Sequence, residues 1–413
     1  MSQAFKDFEK NLEEMLKRDD IIKLRSQKFN IYNKNREKVK EKFNSYALEK
    51  EVREIRQWAL EHNEELVKKA MESFEEHGIH GFFAETAEDA RKYLLDVIGD
   101  EKVVVYSSTD LINEIGMFEE FEKRGITYVH SELAYRIAQL DPDDIIFDKP
   151  TPVAHKTLDR LVKIVETKLK VKLPEKTPEA VIDAVRADVM NWISKAKIGI
   201  SGANAISAAD GAVFTVFGSA NIAHMALRPI YVVLAGIEKV LPDMRAAFAS
   251  AYLQSLYESG VGGTSYYLAV RGPSEMGPIV GKSIRPALGC KEMYVILLDN
   301  GRRRAMKEGF GDVLRCIRCF TCHEYCPVYI VAGPGVGYWF KKPGFGYGGY
   351  LGGRGIILTA FVFGLDAAIK GGLFACAMCG NCYAHCPMEI NVPEMIARLR
   401  LKVIKNHNSL YQA

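Results

Sequence analysis

The sequence predicts an α/β protein: an open, mostly parallel sheet dressed with helices, followed by a C-terminal region of helices alone. Three observations carry that expectation. From about Gly78 to Asp299, short β-branched runs alternate with amphipathic helical stretches, the pattern of strand-helix-strand units. After Gly301 the strand signals vanish. Eight of the nine cysteines then fall in two late runs of one spacing, within Arg315 to Ile330 and Phe374 to Ile390.

At 413 residues the chain can build two or three domains with full cores, so it needs no cross-links to stay folded. Its 48% hydrophobic and 26% charged residues are ordinary for a globular protein. With 55 basic against 52 acidic residues it carries no charge excess that would attract nucleic acid. The start, "MSQAFKDFEK", lacks the basic and then apolar segments of a secretory signal. No uncharged apolar run reaches the ~18 residues of a membrane span, and "IILTAFVFG" (Ile356 to Gly364) is far too short. The expectation is a cytoplasmic protein without a transmembrane span, with room for peripheral association at the inner face of the membrane. In that reducing compartment clustered cysteines point to metal rather than to disulfides.

Taken in order, residues 1–75 read as a charged helical arm, with eight Lys or Arg against two Glu between Lys23 and Lys42. Such a stretch is either a solvated face or a clasp for a partner subunit or acidic membrane surface. Residues 76–304 form the α/β domain. Its strand candidates are "VVVYS" (Val103 to Ser107), "ITYVH" (Ile126 to His130), "IIF" (Ile145 to Phe147), "IGIS" (Ile198 to Ser201), "GAVFTVF" (Gly211 to Phe217), "IYVVLAG" (Ile230 to Gly236), "SYYLAV" (Ser265 to Val270) and "MYVILLD" (Met293 to Asp299). The helical stretches from Thr86 and Thr177 each open on a threonine that can cap them. Ser107, Ser108 and Thr109 lie between a strand and a helix, and Gly202, Asn204, Asp210 and Gly211 surround the end of another strand. Either group could frame a small anion at the carboxyl ends of the strands, and plain capping and turns explain both as well. His155 and Lys156 follow two prolines at a helix start and read as a structural cap.

The domain boundary falls near Gly301 to Lys307, leaving 305–413 as a helical domain. Within it, residues 333–355 are a glycine-rich bridge, ten glycines in 23 residues among Tyr, Phe and Trp, which reads as a loop. "GFGYGG" (Gly344 to Gly349) matches G-x-G-x-x-G, with Asp366 near the ribose offset, but Lys341, Lys342 and Pro343 stand where a strand should lead in. The match is discounted. Without a dinucleotide fingerprint, two-electron chemistry belongs on another subunit.

The two runs are Cys316-x2-Cys319-x2-Cys322-x3-Cys326-Pro327 and Cys376-x2-Cys379-x2-Cys382-x3-Cys386-Pro387. This is the spacing with which two-cluster ferredoxins bind cubanes, three cysteines of a run on one cluster and the fourth on the other. Cluster one is assigned to Cys316, Cys319, Cys322 and Cys386, and cluster two to Cys376, Cys379, Cys382 and Cys326. A zinc ribbon is the alternative, but it needs two pairs rather than a triplet and a distant fourth, repeated. His323 and His385 read as outer donors or surface groups, and Cys290 as a lone buried thiol. Arg302, Arg303, Arg304, Lys307, Arg315 and Arg318 gather before the first run, where positive charge would raise a cluster's potential or dock a partner.

With these motifs on the page, the chain resembles the iron-sulfur subunit of the lactate-utilisation (LUD) family, the LutB or LldF type. The likeness is carried by "GISGANAISAADGAV", "VVLAGIEKVLPDM", "YVILLDNGR", the cysteine runs and "CPMEINVPEMIARLR", and spans the chain from about Leu48. It implies a Rossmann-like LUD domain, related to sugar-phosphate isomerases and CoA-transferases, followed by an α-helical ferredoxin domain with two 4Fe-4S clusters. It further implies an electron-transfer subunit of a lactate (2-hydroxy acid) dehydrogenase complex. The expected partners are a flavoprotein dehydrogenase subunit, which alone carries FAD or FMN, and a cysteine-rich quinone-linked subunit. Two other readings stand beside it: a LUD crevice that is itself catalytic on a small anion, and a scaffold whose relay serves a quinone or heterodisulfide reductase. One departure is "VFGSAN" (Val216 to Asn221), where relatives tend to carry an acidic stretch.

Overall fold

Strands buried on both faces read as unbroken apolar runs, and the central sheet is built from such runs. A computed structural model describes residues 3–273, 276–279, 282–284 and 289–410. Six parallel strands lie in the order Ile79–Ala84, Glu292–Leu298, Ile230–Gly236, Ile198–Gly202, Val103–Tyr106 and Thr127–His130. Val104, Val105, Ile198, Ile200 and Tyr231 to Ala235 are all buried. The order reverses between Val103–Tyr106 and Ile198–Gly202, so the switch-point crevice opens beyond Tyr106 and Gly202. Helices cover the sheet, opened by Thr86, Thr157 and Thr177, each accepting a backbone N–H with its hydroxyl.

Three predicted strands lie outside this sheet. Val213–Phe217 and Tyr266–Val270 pair with each other antiparallel, in a second sheet completed by Ala205–Ser207 and Val240–Leu241. Ile145–Ile146 pairs with Gly335–Val336 of the glycine-rich stretch instead. The strand Ile79–Ala84, at the sheet edge, went unpredicted because "IHGFFA" has one β-branched residue and a central glycine.

The N-terminal residues are not a free arm. Helices Gln3–Leu16, Asp19–Phe43 and Tyr46–Glu61 lie against the cysteine-bearing region of their own chain, burying Phe8, Ile21, Phe29, Val39 and Val52. Arg25, fully buried, donates to the carbonyls of Phe147, Ile330 and Val331. Arg36 donates to the Tyr257 carbonyl at 3.0 Å and pairs with Glu324. One helix thus ties the α/β part to the first cysteine run.

Nor is the glycine-rich stretch an open loop. It runs through paired short strands into the helix Gly352–Val362, and Tyr338, Trp339, Phe340, Phe345 and Tyr350 are buried. Its glycines serve close approach: a side chain on Gly346 would meet the Tyr350 carbonyl at 2.5 Å, and one on Gly352 the His323 ring at 2.6 Å. "GFGYGG" folds into the hairpin Gly346–Tyr347/Tyr350–Leu351, turning on Gly348 and Gly349 with positive φ. Trp339 stacks on Phe118 and Tyr135, and its indole N–H donates to the Tyr106 hydroxyl at 3.1 Å. These aromatics therefore bind the sheet's own end. Among the described residues no helix is long and apolar enough to cross a membrane.

Candidate metal centre

Each cysteine run is the same short path of backbone. Arg318 and Phe320 have left-handed φ of 64° and 62°, and the matching Met378 and Gly380 have 55° and 82°. These reversals wind the first three cysteines around a turn, after which one short helix, Thr321–Glu324 or Asn381–Ala384, leads to the fourth. Cys326 then caps the helix Pro327–Ala332, its sulfur accepting from the Tyr329 N–H at 3.5 Å. The runs meet face to face. Tyr325 and His385, each just before a fourth cysteine, stack with centroids 3.6 Å apart, and Asn381 donates to the Tyr325 carbonyl at 3.2 Å.

Two cavities lie between them. One, about 380 Å³, is lined by Cys316, Cys319, Cys322, Cys382 and Cys386. The other, about 370 Å³, is lined by Cys322, Cys326, Cys376, Cys379 and Cys382. Each cavity is lined by the first three cysteines of one run and by the third and fourth of the other. Cys322, Cys382 and Val392 border both, so the two spaces share a wall. Among the described residues no three His, Cys, Asp or Glu side chains converge on one point, as ligands of a single ion would. The sulfurs ring a space instead. All-sulfur donors around room for a polynuclear body suit iron-sulfur cubes, whose ligands each hold a different iron. Burial pushes the Cys319 and Cys326 thiols up to about 11 and those of Cys382 and Cys386 up to about 12, so loading metal must expel their protons.

Three of the six cations read before the first run are paired with carboxylates. Arg302 is fully buried, bidentate on Glu114 at 2.8 and 2.9 Å and bonded to Glu238 at 2.8 Å. Arg318 pairs with Asp110, and Arg315 with Asp312 at 3.3 Å. Arg303 stacks over Phe83 and Arg304 over Phe361. Sequence reasoning missed the buried cations from elsewhere. Arg56 donates to the carbonyls of Leu314 and Arg315, beside Cys316, and Arg354 lines the first cavity. His323 is buried, bonded through Nε2 to the Leu351 carbonyl at 2.8 Å, and burial holds it neutral with a pKa of about 3. Cys290 is buried too.

The switch-point crevice brings Thr109 against Gly202, where an added side chain would meet the Thr109 hydroxyl at 3.0 Å. Thr109 caps the next helix. Ser107 is buried with its hydroxyl unpartnered, and Asn204 is spent on the Val216 N–H at 3.0 Å and Gln254 at 2.8 Å. Ser108 meets His130 Nε2 at 3.2 Å, but His130 Nδ1 accepts the Glu132 N–H at 3.1 Å, so Nε2 carries the proton and donates. Ser108 is therefore not activated as a nucleophile. The crevice mouth is filled by Asp110, held between Arg318 of the first cysteine run and Lys149. Burial lowers Lys149 to about 7 and raises Glu258 to about 7. His155 and Lys156 bind Asp144, the former at 2.8 Å.

Comparison with known proteins agrees with this layout. Residues 67–298 match the LUD domain, and residues 312–390 match a 4Fe-4S dicluster domain. The chain is 30% identical over 358 residues to a protein of Bacillus velezensis named lactate utilization protein B, covering 85% of this chain and 71% of that one. It is equally similar to the protein of that name from Bacillus subtilis, at 30% identity, covering 85% and 70%. An Escherichia coli protein described as the uncharacterized electron transport protein YkgF is 30% identical, covering 84% and 70%. A solved structure of a DUF162 family protein from Deinococcus radiodurans overlaps with a TM-score of 0.31 at 10% identity, over 57% of this chain and 98% of that one. The chain thus belongs to the LUD family, as an iron-sulfur protein of the lactate utilization B type.

Proposed function

We propose that this protein is the electron-transfer subunit of a lactate (2-hydroxy acid) dehydrogenase complex, passing single electrons from a flavin-bearing partner toward a quinone or another carrier. The carrying observation is the pair of cysteine-lined cavities with a common wall. In this reading Cys316, Cys319, Cys322 and Cys386 hold one 4Fe-4S cube, and Cys376, Cys379, Cys382 and Cys326 hold the other. Such cubes, when bound, each accept and release one electron. The chain's own residues fix the route. Cys322 and Cys382 bring the two sites together, the helix Asp19–Phe43 is bonded to Glu324 of the first run, and Cys379 is exposed on the second, which makes its site the outer one. Near Cys379 in the chain, Phe374, Met378 and Tyr383 are exposed and apolar enough to seat a redox partner. The division into 76–304 and 305–413 follows the same logic, a docking domain and a wire.

The second reading, a LUD crevice acting on a small anion near Ser107, Ser108, Thr109, Gly202 and Asn204, is favoured by one observation. Buried Lys149, paired with Asp110 beside Thr109, and half-buried Glu258 are both shifted toward neutrality, as acid-base groups are. Against it, the crevice mouth is closed by Arg318, Lys149 and the bridge aromatics.

Anaerobic purification tests the relay directly. It expects iron and acid-labile sulfide in the amounts two cubes need, with paramagnetic signals on reduction; zinc, or no reducible signal, ends the reading. Lactate oxidation by the isolated subunit with a dye acceptor would favour the crevice, and full activity of the complex with Ser107 and Asn204 replaced would eliminate it.

A further inference from the structure

Of all the side chains lining the two cavities, one is charged. It is Arg354, on the first turn of the helix Gly352–Val362, and it faces the cavity of Cys316, Cys319, Cys322 and Cys386. Its neighbour Gly353 lines the other cavity, which has no charged side chain among its lining residues. Arg354 is 7% exposed, and its Nε is buried with no partner.

Every comparable cation nearby is answered. Arg302 has Glu114 and Glu238, Arg318 and Lys149 share Asp110, Arg36 has Glu324, and Arg56 has backbone carbonyls. Among the described residues Arg354 has no hydrogen bond and no ion pair; it lies 6.0 Å from the Tyr350 ring, and the Glu238 carboxylate, already paired with Arg302, acts on it only at longer range. Its position is unfavourable in two further ways. The start of a helix carries partial positive charge, which repels a cation. Its charge also bears on other cations, Lys149, Lys239 and Arg318 among them. A buried guanidinium left so is costly unless something anionic occupies the space before it. Four thiolates around an iron-sulfur cube leave a net negative body, and that body would lie in this cavity.

We propose that Arg354 is the counter-charge of the first cavity, and that its guanidinium raises the reduction potential of the cube held there while leaving the other cube untouched. The inference rests on the two-cube reading. Reduction adds one electron, drawn from the donor, and one negative charge, with no bond made or broken; a cation on the cavity wall favours the reduced form over the oxidised one. In the sequence patch from Arg302 to Arg318, Arg302, Arg315 and Arg318 are matched by carboxylates, and none of the six cations lines either cavity.

The test is an anaerobic redox titration of the full-length, cluster-loaded protein, with dithionite as reductant and both cubes followed by electron paramagnetic resonance. In Arg354→Gln and Arg354→Leu one midpoint should fall by at least a tenfold change in the reduction equilibrium, about 59 mV for one electron, while the second stays. Arg354→Lys should restore the midpoint. Unchanged midpoints in Arg354→Gln at wild-type iron and sulfide would overturn the proposal and leave the two-cube reading standing. Equal falls in the Lys and Gln variants would also overturn it, since the cause would then be packing. If Arg354→Leu loses iron, retention of iron and potential by Arg354→Lys supports the counter-charge, and loss there refutes it. A wild-type protein without cubes ends both readings.

Discussion

The two cysteine runs share spacing, backbone path and terminal proline, yet one is an interior wall and the other a surface. Position by position, Ile317 matches Ala377, Thr321 matches Asn381, and His323 matches Tyr383. Thr321 is 1% and His323 5% exposed, while Tyr383 is 45% exposed. The cysteines set what can be bound; the residues between them set what can reach it. The first run is sealed by the N-terminal helices and the α/β domain, which contribute Arg36, Arg56 and Asp110. The second faces outward at Ala377, Met378 and Cys379. A repeated motif has thus been given two degrees of exposure by its surroundings alone.

If that contrast is real, its largest sign is kinetic. An iron chelator added to mildly oxidised protein should empty the outer site before the inner one begins to bleach, giving two well-separated phases in the visible absorbance. One phase would break the comparison. Exposure governs such attack on sulfur ligands, and Cys379 is exposed while Cys319 is buried.

The arginines that pin the runs should differ next. Arg36 and Glu324 form a pair with both side chains fully buried, so Arg36→Ala strands a carboxylate and should cost about 3–5 kcal/mol in denaturant unfolding. On the second run Arg53 meets Glu389 at 3.3 Å with the carboxylate 62% exposed, and Glu389→Ala should cost no more than about 1 kcal/mol. Replacing Met378 and Tyr383 together by Ala should leave iron content intact and slow electron exchange with the partner, measured by stopped flow. The matching change at buried His323 should instead lower iron content.

Much of the site was legible because ligand spacing is a local property. Eight cysteines at fixed intervals point to two neighbouring sites, and the structure has two adjoining cavities, each lined by cysteines of both runs. What the sequence hid was everything set by distant packing. Arg302 to Arg318 looked like a field of free charge, but Glu114 and Asp110, some two hundred residues earlier, and Glu238, 64 residues earlier, neutralise part of it. Arg354 looked like one more residue of a flexible bridge. The bridge misled because glycine signals either freedom or lack of space, and only the fold tells which: at Gly346 and Gly352 it is lack of space. The charged helices misled similarly, since two of the residues that made them look like an arm, Arg25 and Arg36, are fully buried.

The smallest difference between the runs is a test of backbone alone. Both turn through a left-handed residue after the second cysteine, Gly380 at φ 82° in the outer run and Phe320 at φ 62° in the inner one. A methyl group on Gly380 would have no atom of the chain within 4 Å, so Gly380→Ala meets no clash with the protein itself, and its backbone cost is that of forcing a side chain into the left-handed region, about 1–2 kcal/mol. The inner run already carries that cost and recovers part of it through the Phe320 ring, 5.5 Å from His323. Phe320→Gly should therefore change stability by less than Gly380→Ala, because relieved strain and lost packing oppose each other. Thermal unfolding of the two loaded variants decides it: a larger loss in Phe320→Gly would mean that the inner run is held by its ring rather than by the turn it shares with the outer one.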